Sequence, residues 1–302
     1  MKRFESGEIK SFVSRRWPRD HGAPGNDGQY PKISIVTPSF NQAQFLERTI
    51  LSVLNQNYPD LEYLIIDGGS TDGSVEIIKK YKRWLAYWVS ERDAGQSDAL
   101  NKGFARATGE LVGWQNSDDI YLPDACREAA DALRRSPDVD IVFGNRLDID
   151  ASDHITGETR FTPFSVTGYW YDGMSLSTQS TFWRRSLFSK VGVIDPSYDL
   201  AMDYEFFLRA ALQGARFKHV RRYWGASRRH DLSKEAMRLP AWRPEQDRMD
   251  QTYGRKQRWN APLRTYSRVR RALYYLWLGD WDFVADSLAR EARRALEHLW
   301  KS

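Results

Sequence analysis

Lys32-Ile33-Ser34-Ile35-Val36-Thr37-Pro38 is a short β-branched run closed by proline, the composition of a strand buried on both faces. Leu46, Ile50, Val53 and Leu54 follow at the spacing of a one-faced helix over residues 44–54, which Tyr58-Pro59 ends. A second strand, Leu61 to Asp67, runs into a Gly-Gly-Ser-Thr-Asp-Gly turn and a helix from Ser74 to Tyr81. A third strand (86–90), a helix (98–107) and a fourth strand, Glu110 to Trp114, repeat the alternation. Such spacing predicts βαβ units and a mostly parallel, Rossmann-like sheet flanked by helices, an α/β fold. Ligands of these sheets sit at the carboxyl ends of strands, where Thr37, Asp67 and Asp118 all fall.

The fourth strand delivers Asn116-Ser117-Asp118-Asp119. Two adjacent carboxylates repel, and a cation between them relieves that repulsion. The pair therefore points to a divalent metal, and a metal at a strand end points to phosphate chemistry. Further on, a helix runs to Arg135, a strand covers 140–145, and residues 146–178 read as irregular. Residues 179–183 read as extended, 186–192 as a short helix, and Asp203 to Leu212 as a helix stopped by Gly214. Beyond Trp242 the pattern is helical, with one stripe at Val269, Leu273 and Leu276 and a second from Val284 to Leu299. There is no internal repeat.

The 302 residues, 41% of them apolar, suffice for one large domain with an appendage. Residues 1–30 read as a flexible, charged extension without the apolar core of a signal peptide, 31–240 as the main domain, and 241–302 as a basic, aromatic-rich helical region. The net charge of +5 is uneven: residues 216–302 hold 21 Lys/Arg and 10 Asp/Glu, the remainder 24 and 30. The basic end is a candidate surface for an anionic membrane or acceptor, with a solvated basic helix face as the alternative. The single cysteine, Cys126, fits a reducing compartment. No run approaches the ~18 apolar residues of a membrane span, so a cytoplasmic protein, at most peripheral to the membrane, is expected.

Four motifs carry a resemblance: Ile33 to Asn41, Ile65 to Ser74, Glu91 to Gly103, and Asn116 to Asp119. In this order they resemble a family 2 glycosyltransferase, over roughly residues 32–233. The resemblance implies the GT-A fold and inverting transfer of a sugar from a nucleotide diphosphate donor, UDP favoured. The expected acceptor is a hydroxyl on a glycan or lipid-linked glycan, and the expected ion is Mn²⁺ or Mg²⁺. It implies that Asp118 binds the metal and the donor, with Asp119 and His230 as further ligands. Thr37, Pro38, Phe40 and Asn41 would line the base pocket, and Asp67 would meet the base. Asp93 and Lys102 would flank the donor. Asp203 and Glu205 are the candidates for the catalytic base, and the match favours Asp203. Gln179, Trp183 and Glu205 are candidates for the acceptor side, and Arg228, Arg229 and Lys234 for the diphosphate. Asn116 departs from the Asp of many relatives.

Structural alternatives stand beside these roles: turn capping for Asp67 and Asp203, core packing for Phe40 and Trp183, plain surface charge for Lys102 and His230. A sugar-phosphate nucleotidyltransferase is a rival on the same fold, but the Gly-rich basic loop such enzymes carry after the first strand is missing from Thr37 to Asn41. A non-catalytic nucleotide-binding module is a second rival. The acidic first part and the lack of a recognisable motif argue against nucleic acid.

Overall fold

The computed structural model describes residues 4–15, 28, 30–173, 175–231, 233–234, 242–254 and 260–285. The chain divides into two compact units, one of residues 1–164 and 176–254, the other of residues 165–175 and 255–302. The first unit is built on a nine-stranded sheet. Its leading half is parallel: β1 (Ile33–Ser39) lies between β2 (Leu61–Asp67) and β4 (Leu111–Trp114), with β3 (Tyr87–Ser90) outside β2. The β-branched runs that predicted these strands are buried along β1 and β4 and nearly all of β2. The register pairs Ser39 with Asp67 and Asp67 with Ser90, so three strand ends are level. Helices α2 (Ala43–Leu54), α3 (Ser74–Tyr81) and α4 (Gln96–Arg106) connect them as expected. Helix α4 approaches β1 so closely that a Cβ at Gly103 would lie 2.3 Å from Val36 Cγ1.

The trailing half is mixed. Strand β8 (Thr181–Arg184) runs antiparallel to β4 and to β6 (Ile141–Ile149). Strand β9 (Phe217–Arg228) lies parallel to β6 and pairs antiparallel with the two-residue β5 (Ile120–Tyr121). Helix α5 (Ala125–Arg134) joins β5 to β6, and α7 (Leu187–Val191) and α8 (Met202–Leu212) follow β8. Residues 146–178, expected to be irregular, instead continue β6, form β7 (Ile155–Thr159) against it, and form α6 (Val166–Asp172). Strand β9 has no sequence signature because its first half is charged and only partly buried; pairing with β6, not apolar alternation, makes it a strand.

The N-terminal stretch departs from the expected loose extension. Ser6–Ser14 forms α1, capped by reciprocal hydrogen bonds of Glu5 and Glu8, and buries Ile9, Phe12 and Val13. These side chains join Ile120, Leu122, Leu147 and Ile149 in a second core cluster, and Asn55 Nδ2 donates to the Phe12 carbonyl at 2.8 Å. Helix α9 (Trp242–Thr252) belongs to the first unit. In the second unit α10 (Ala261–Trp277), capped by Asn260, is tied to α6 by Arg268 and Arg271 on Asp172. Most of the second expected stripe, beyond residue 285, lies outside the described residues. Among the described residues no helix is long and apolar enough to cross a membrane.

His219 on β9 stacks on Phe143, with Nε2 2.9 Å from Asn145 Oδ1. Burial, with the Arg221 charge second, pushes its imidazole down to about 4. The unfolded chain keeps the ordinary value near ~6.5, so His219 favours the fold fully above that pH and progressively less as pH falls towards 4. The melting temperature of His219→Gln is therefore expected to fall less between pH 7 and pH 4.5 than that of the unsubstituted protein, measured by thermal unfolding across that range.

Candidate active site

The level strand ends carry loops that hold one another. The Asp67 carboxylate accepts from the Gly69 and Ser70 N–H groups at 3.1 and 2.9 Å and from the Ser70 and Ser90 hydroxyls at 2.5 and 2.7 Å. Asn41, in the left-handed region at φ 51°, donates its N–H to Ser70 Oγ and accepts the Thr71 N–H. The Ala43 N–H closes on Asp72. Asp93 lies over Gly68, where a Cβ would meet its Oδ2 at 2.8 Å. Phe40 stands 60% exposed at the rim, whereas Thr37 and Pro38 are buried, Thr37 against the Tyr63 hydroxyl. Thr37, Pro38, Phe40, Asn41, Asp67 and Asp93 thus gather at the ends of β1 to β3. Lys102 is held by Glu91 at 3.0 Å and Asp98 at 3.2 Å, and these contacts, Glu91 first, raise its pKa.

After β4 the acidic motif divides. The Asp118 carboxylate points at His230: Oδ2 and Nε2 are 3.1 Å apart. The His230 ring is 5% exposed and packs on Phe45 with centroids 4.5 Å apart. Its Nδ1 is buried with no hydrogen-bond partner among the described residues. Asp119, expected as a further metal ligand, turns inward instead. It is 3% exposed, and its oxygens accept from Gln179 Nε2, Asn116 Nδ2 and the Arg228 N–H. Burial, followed by the Asp118 charge, pushes its carboxyl up to about 7 against the pull of those three donors.

Asn116 has a reason to be an amide. Its Oδ1 accepts from Trp114 Nε1 and Gln96 Nε2 while its Nδ2 donates to Asp119, which an ionised Asp could not do.

Arg228 does not reach out towards a diphosphate. Its side chain is fully buried; Nε donates to the Asp118 carbonyl at 2.8 Å, Nη1 meets Asp150 O and Asp153, and the guanidinium lies over Phe45. Arg229 reaches Asp148 at 3.4 Å. Gln179, expected on the acceptor side, is the residue that holds Asp119. Gly225 makes this possible, since a Cβ there would lie 1.9 Å from the Gln179 carbonyl oxygen.

Asp203 stands in the first turn of α8 and accepts the Tyr204 N–H at 2.7 Å. The loop before it is fixed by Glu245, which accepts the N–H groups of Asp199, Leu200 and Ala201. Lys234 bridges Asp199 to Gln96, and Gln96 touches Asn116, so a polar chain links the α8 entrance to the acidic motif. Two expectations for the acceptor side are corrected. Trp183 is wholly buried among Phe104, Phe188, Phe206 and Phe207, leaving no face for a sugar. Glu205 is wholly buried and engaged by Arg209 and the Tyr253 hydroxyl. The inward roles of Arg228, Gln179 and Glu245 had no signal in the sequence beyond the glycine at 225.

A divalent ion suits the pair rather than a cluster. Among the described residues no three or more His, Cys, Asp or Glu side chains are grouped to hold a metal by themselves. Asp118 and His230 would offer a divalent ion one oxygen and one nitrogen, set 3.1 Å apart. The buried, unpartnered Nδ1 of His230 shows that the ring is not held there by hydrogen bonds at both nitrogens.

The family description "Glycosyl transferase family 2" matches residues 34–192, and "Glycosyl transferase family group 2" matches residues 116–287. The chain belongs to glycosyl transferase family 2: it is a glycosyltransferase of the GT-A fold. An uncharacterised glycosyltransferase of Mycobacterium tuberculosis (strain H37Rv) is 36% identical over 185 residues, 60% of this chain and 70% of the relative. Two solved structures share the fold. Staphylococcus aureus TarS 1–349 in complex with UDP-GlcNAc has a TM-score of 0.55 at 19% identity, covering 67% of this chain and 60% of that one. The mannosyltransferase PcManGT of Pyrobaculum calidifontis in complex with GDP-Man and Mn²⁺ has a TM-score of 0.59 at 19% identity, covering 88% and 75%.

The seat of Gln179 can be tested. Gly225→Ala is expected to cost about 3 kcal/mol by overpacking against backbone that cannot move aside. Gly7→Ala, inside α1 where a Cβ would meet nothing within 4 Å, costs nothing and adds up to about 1 kcal/mol of helix propensity. Thermal unfolding of the two variants makes the comparison.

Proposed function

We propose that the protein transfers a sugar, with inversion, from a nucleotide diphosphate donor to an acceptor hydroxyl. The observation that carries this reading is the Asp118–His230 pair, 3.1 Å apart and 112 residues apart in sequence. It stands beyond the end of β4, beside the strand whose neighbour ends in the Asp67 turn. The base is received at Asp67, whose Oδ1 accepts one hydrogen bond and has capacity for a second from a ring N–H. UDP is favoured as the carrier, in keeping with the UDP-GlcNAc complex of TarS. The acceptor is a glycan or a lipid-linked glycan, and the basic C-terminal region is the peripheral contact with the surface on which a lipid-linked acceptor sits.

Asp118 and His230 would hold Mn²⁺ or Mg²⁺, in keeping with the Mn²⁺ complex of PcManGT. Such an ion supplies positive charge to the leaving diphosphate. Asp119 is a positioning residue: locked by Gln179, Asn116 and Arg228, it sets the backbone from which Asp118 projects. Asp203 takes the proton from the acceptor hydroxyl as its oxygen attacks the anomeric carbon opposite the diphosphate. The anomeric carbon–oxygen bond breaks, and the nucleoside diphosphate departs with the electron pair. The Asp199–Ala201 loop clamped by Glu245 keeps Asp203 in register for that transfer.

Two substitutions separate these roles. Asp203→Asn is expected to lower turnover at least ~100-fold, the range of a lost general base, with donor affinity retained in calorimetry. Near-normal turnover removes Asp203 from the mechanism. Asp118→Asn is expected to abolish the Mn²⁺ dependence of donor binding, measured as the thermal shift with UDP, GDP and dTDP, each with and without Mn²⁺. An undiminished metal-dependent shift in that variant sinks the role of Asp118.

A further inference from the structure

We infer that the outward face of α10 lies on an anionic lipid surface. This deepens the reading of a lipid-linked acceptor and rests on it for its purpose, though not for its observations. Eight large apolar side chains are prominently exposed among the described residues, and five of them fall on α10 or just beyond it. Tyr266, Val269, Leu273 and Trp277 are 60, 51, 59 and 80% exposed, and Trp281 beyond them is 65% exposed. The first four recur at steps of three, four and four, which sets them in one line along the helix. The opposite side is already occupied: Ser267 and Tyr275 are buried, and Arg268 and Arg271 bind Asp172 of α6. The exposed line is therefore not the face by which this helix folds onto its own unit.

Charge selects the occupant. Helix α10 carries four arginines and no Asp or Glu. Residues 255–302 hold 11 Lys/Arg against 5 Asp/Glu. Two of the arginines, Arg268 and Arg271, are answered by Asp172, so the selection rests on the net basic excess of residues 255–302, which a second copy of the same unit would double. Anionic headgroups offset that excess, while Tyr266, Leu273 and Trp277 enter the boundary between headgroup and acyl chain, where Tyr and Trp rings are favoured. The helix is too short and too charged to span the bilayer, so it lies in the interface plane.

The test uses the full chain, without donor or acceptor, in co-sedimentation with vesicles of phosphatidylcholine alone or with about one third phosphatidylglycerol, a content that gives an anionic surface. Binding is expected to the anionic vesicles, to weaken as salt rises, and to fall at least tenfold in the double variant Leu273→Glu/Trp277→Glu. Because these side chains are exposed, the circular dichroism and melting temperature of the variant stay as in the parent. Equal binding to neutral vesicles, no binding at all, or unchanged binding in the double variant overturns the inference. So does a dimer in light scattering that the double variant dissociates, which would make a second copy the occupant. Transfer to a soluble acceptor is measured separately: no transfer by the parent with vesicle binding as expected fails the glycosyl-transfer reading alone, and normal transfer without binding to anionic vesicles fails the lipid-surface inference alone.

Discussion

The site depends on burying one guanidinium. Arg228 is a cation taken wholly out of water, which is costly unless its charge and donors are met. All but Nη2 are met, by Asp153, the carbonyls of Asp118 and Asp150, and the face of Phe45. Two of these partners bear on the site: the Asp118 carbonyl is part of the acidic motif, and Phe45 supports the His230 ring. The Arg228 N–H meanwhile takes an oxygen of Asp119. A charge placed two residues before His230 therefore sets where both Asp118 and His230 stand. Its geometry is the fork of an arginine; a lysine offers a point charge and no planar Nε–Nη edge.

Much of the fold was legible because the leading half of the sheet obeys local rules. β1 to β4 are short apolar runs alternating with helices, β1 to β3 adjacent in chain order and β4 returning beside β1, so periodicity and turn residues sufficed. The trailing half does not work that way. β9 is a strand because β6 lies beside it, and α1 is ordered because its apolar face meets Ile120 and Ile149. Both are long-range facts that no window of residues contains.

The site divides along the same line. The residues at the ends of β1, β2 and β4 follow from strand assignment alone. Asp119, Gln179, Trp183 and Glu205 were misread because residue type suggested chemistry while burial assigned packing or support. A tryptophan can stack on a sugar or fill a core, and a carboxylate can bind a cation or accept hydrogen bonds; only the environment separates the two. Asn116 is the converse case. As a letter it was a departure, whereas in place it is the one amide that satisfies Trp114, Gln96 and Asp119 together.

If a nucleotide docks at these strand ends as proposed, the stitching of Asn41 to the Ser70–Thr71 turn bears on how it arrives and leaves. That wall loses its conformational freedom when the protein folds, so none has to be surrendered when a nucleotide docks. Association is then limited by encounter rather than by loop ordering, and preference among bases is expressed in residence time. If Asp67 receives the base as proposed, discrimination acts by rejection: a base with no N–H to offer would leave a buried carboxylate oxygen facing it unanswered, and would depart soon after it enters.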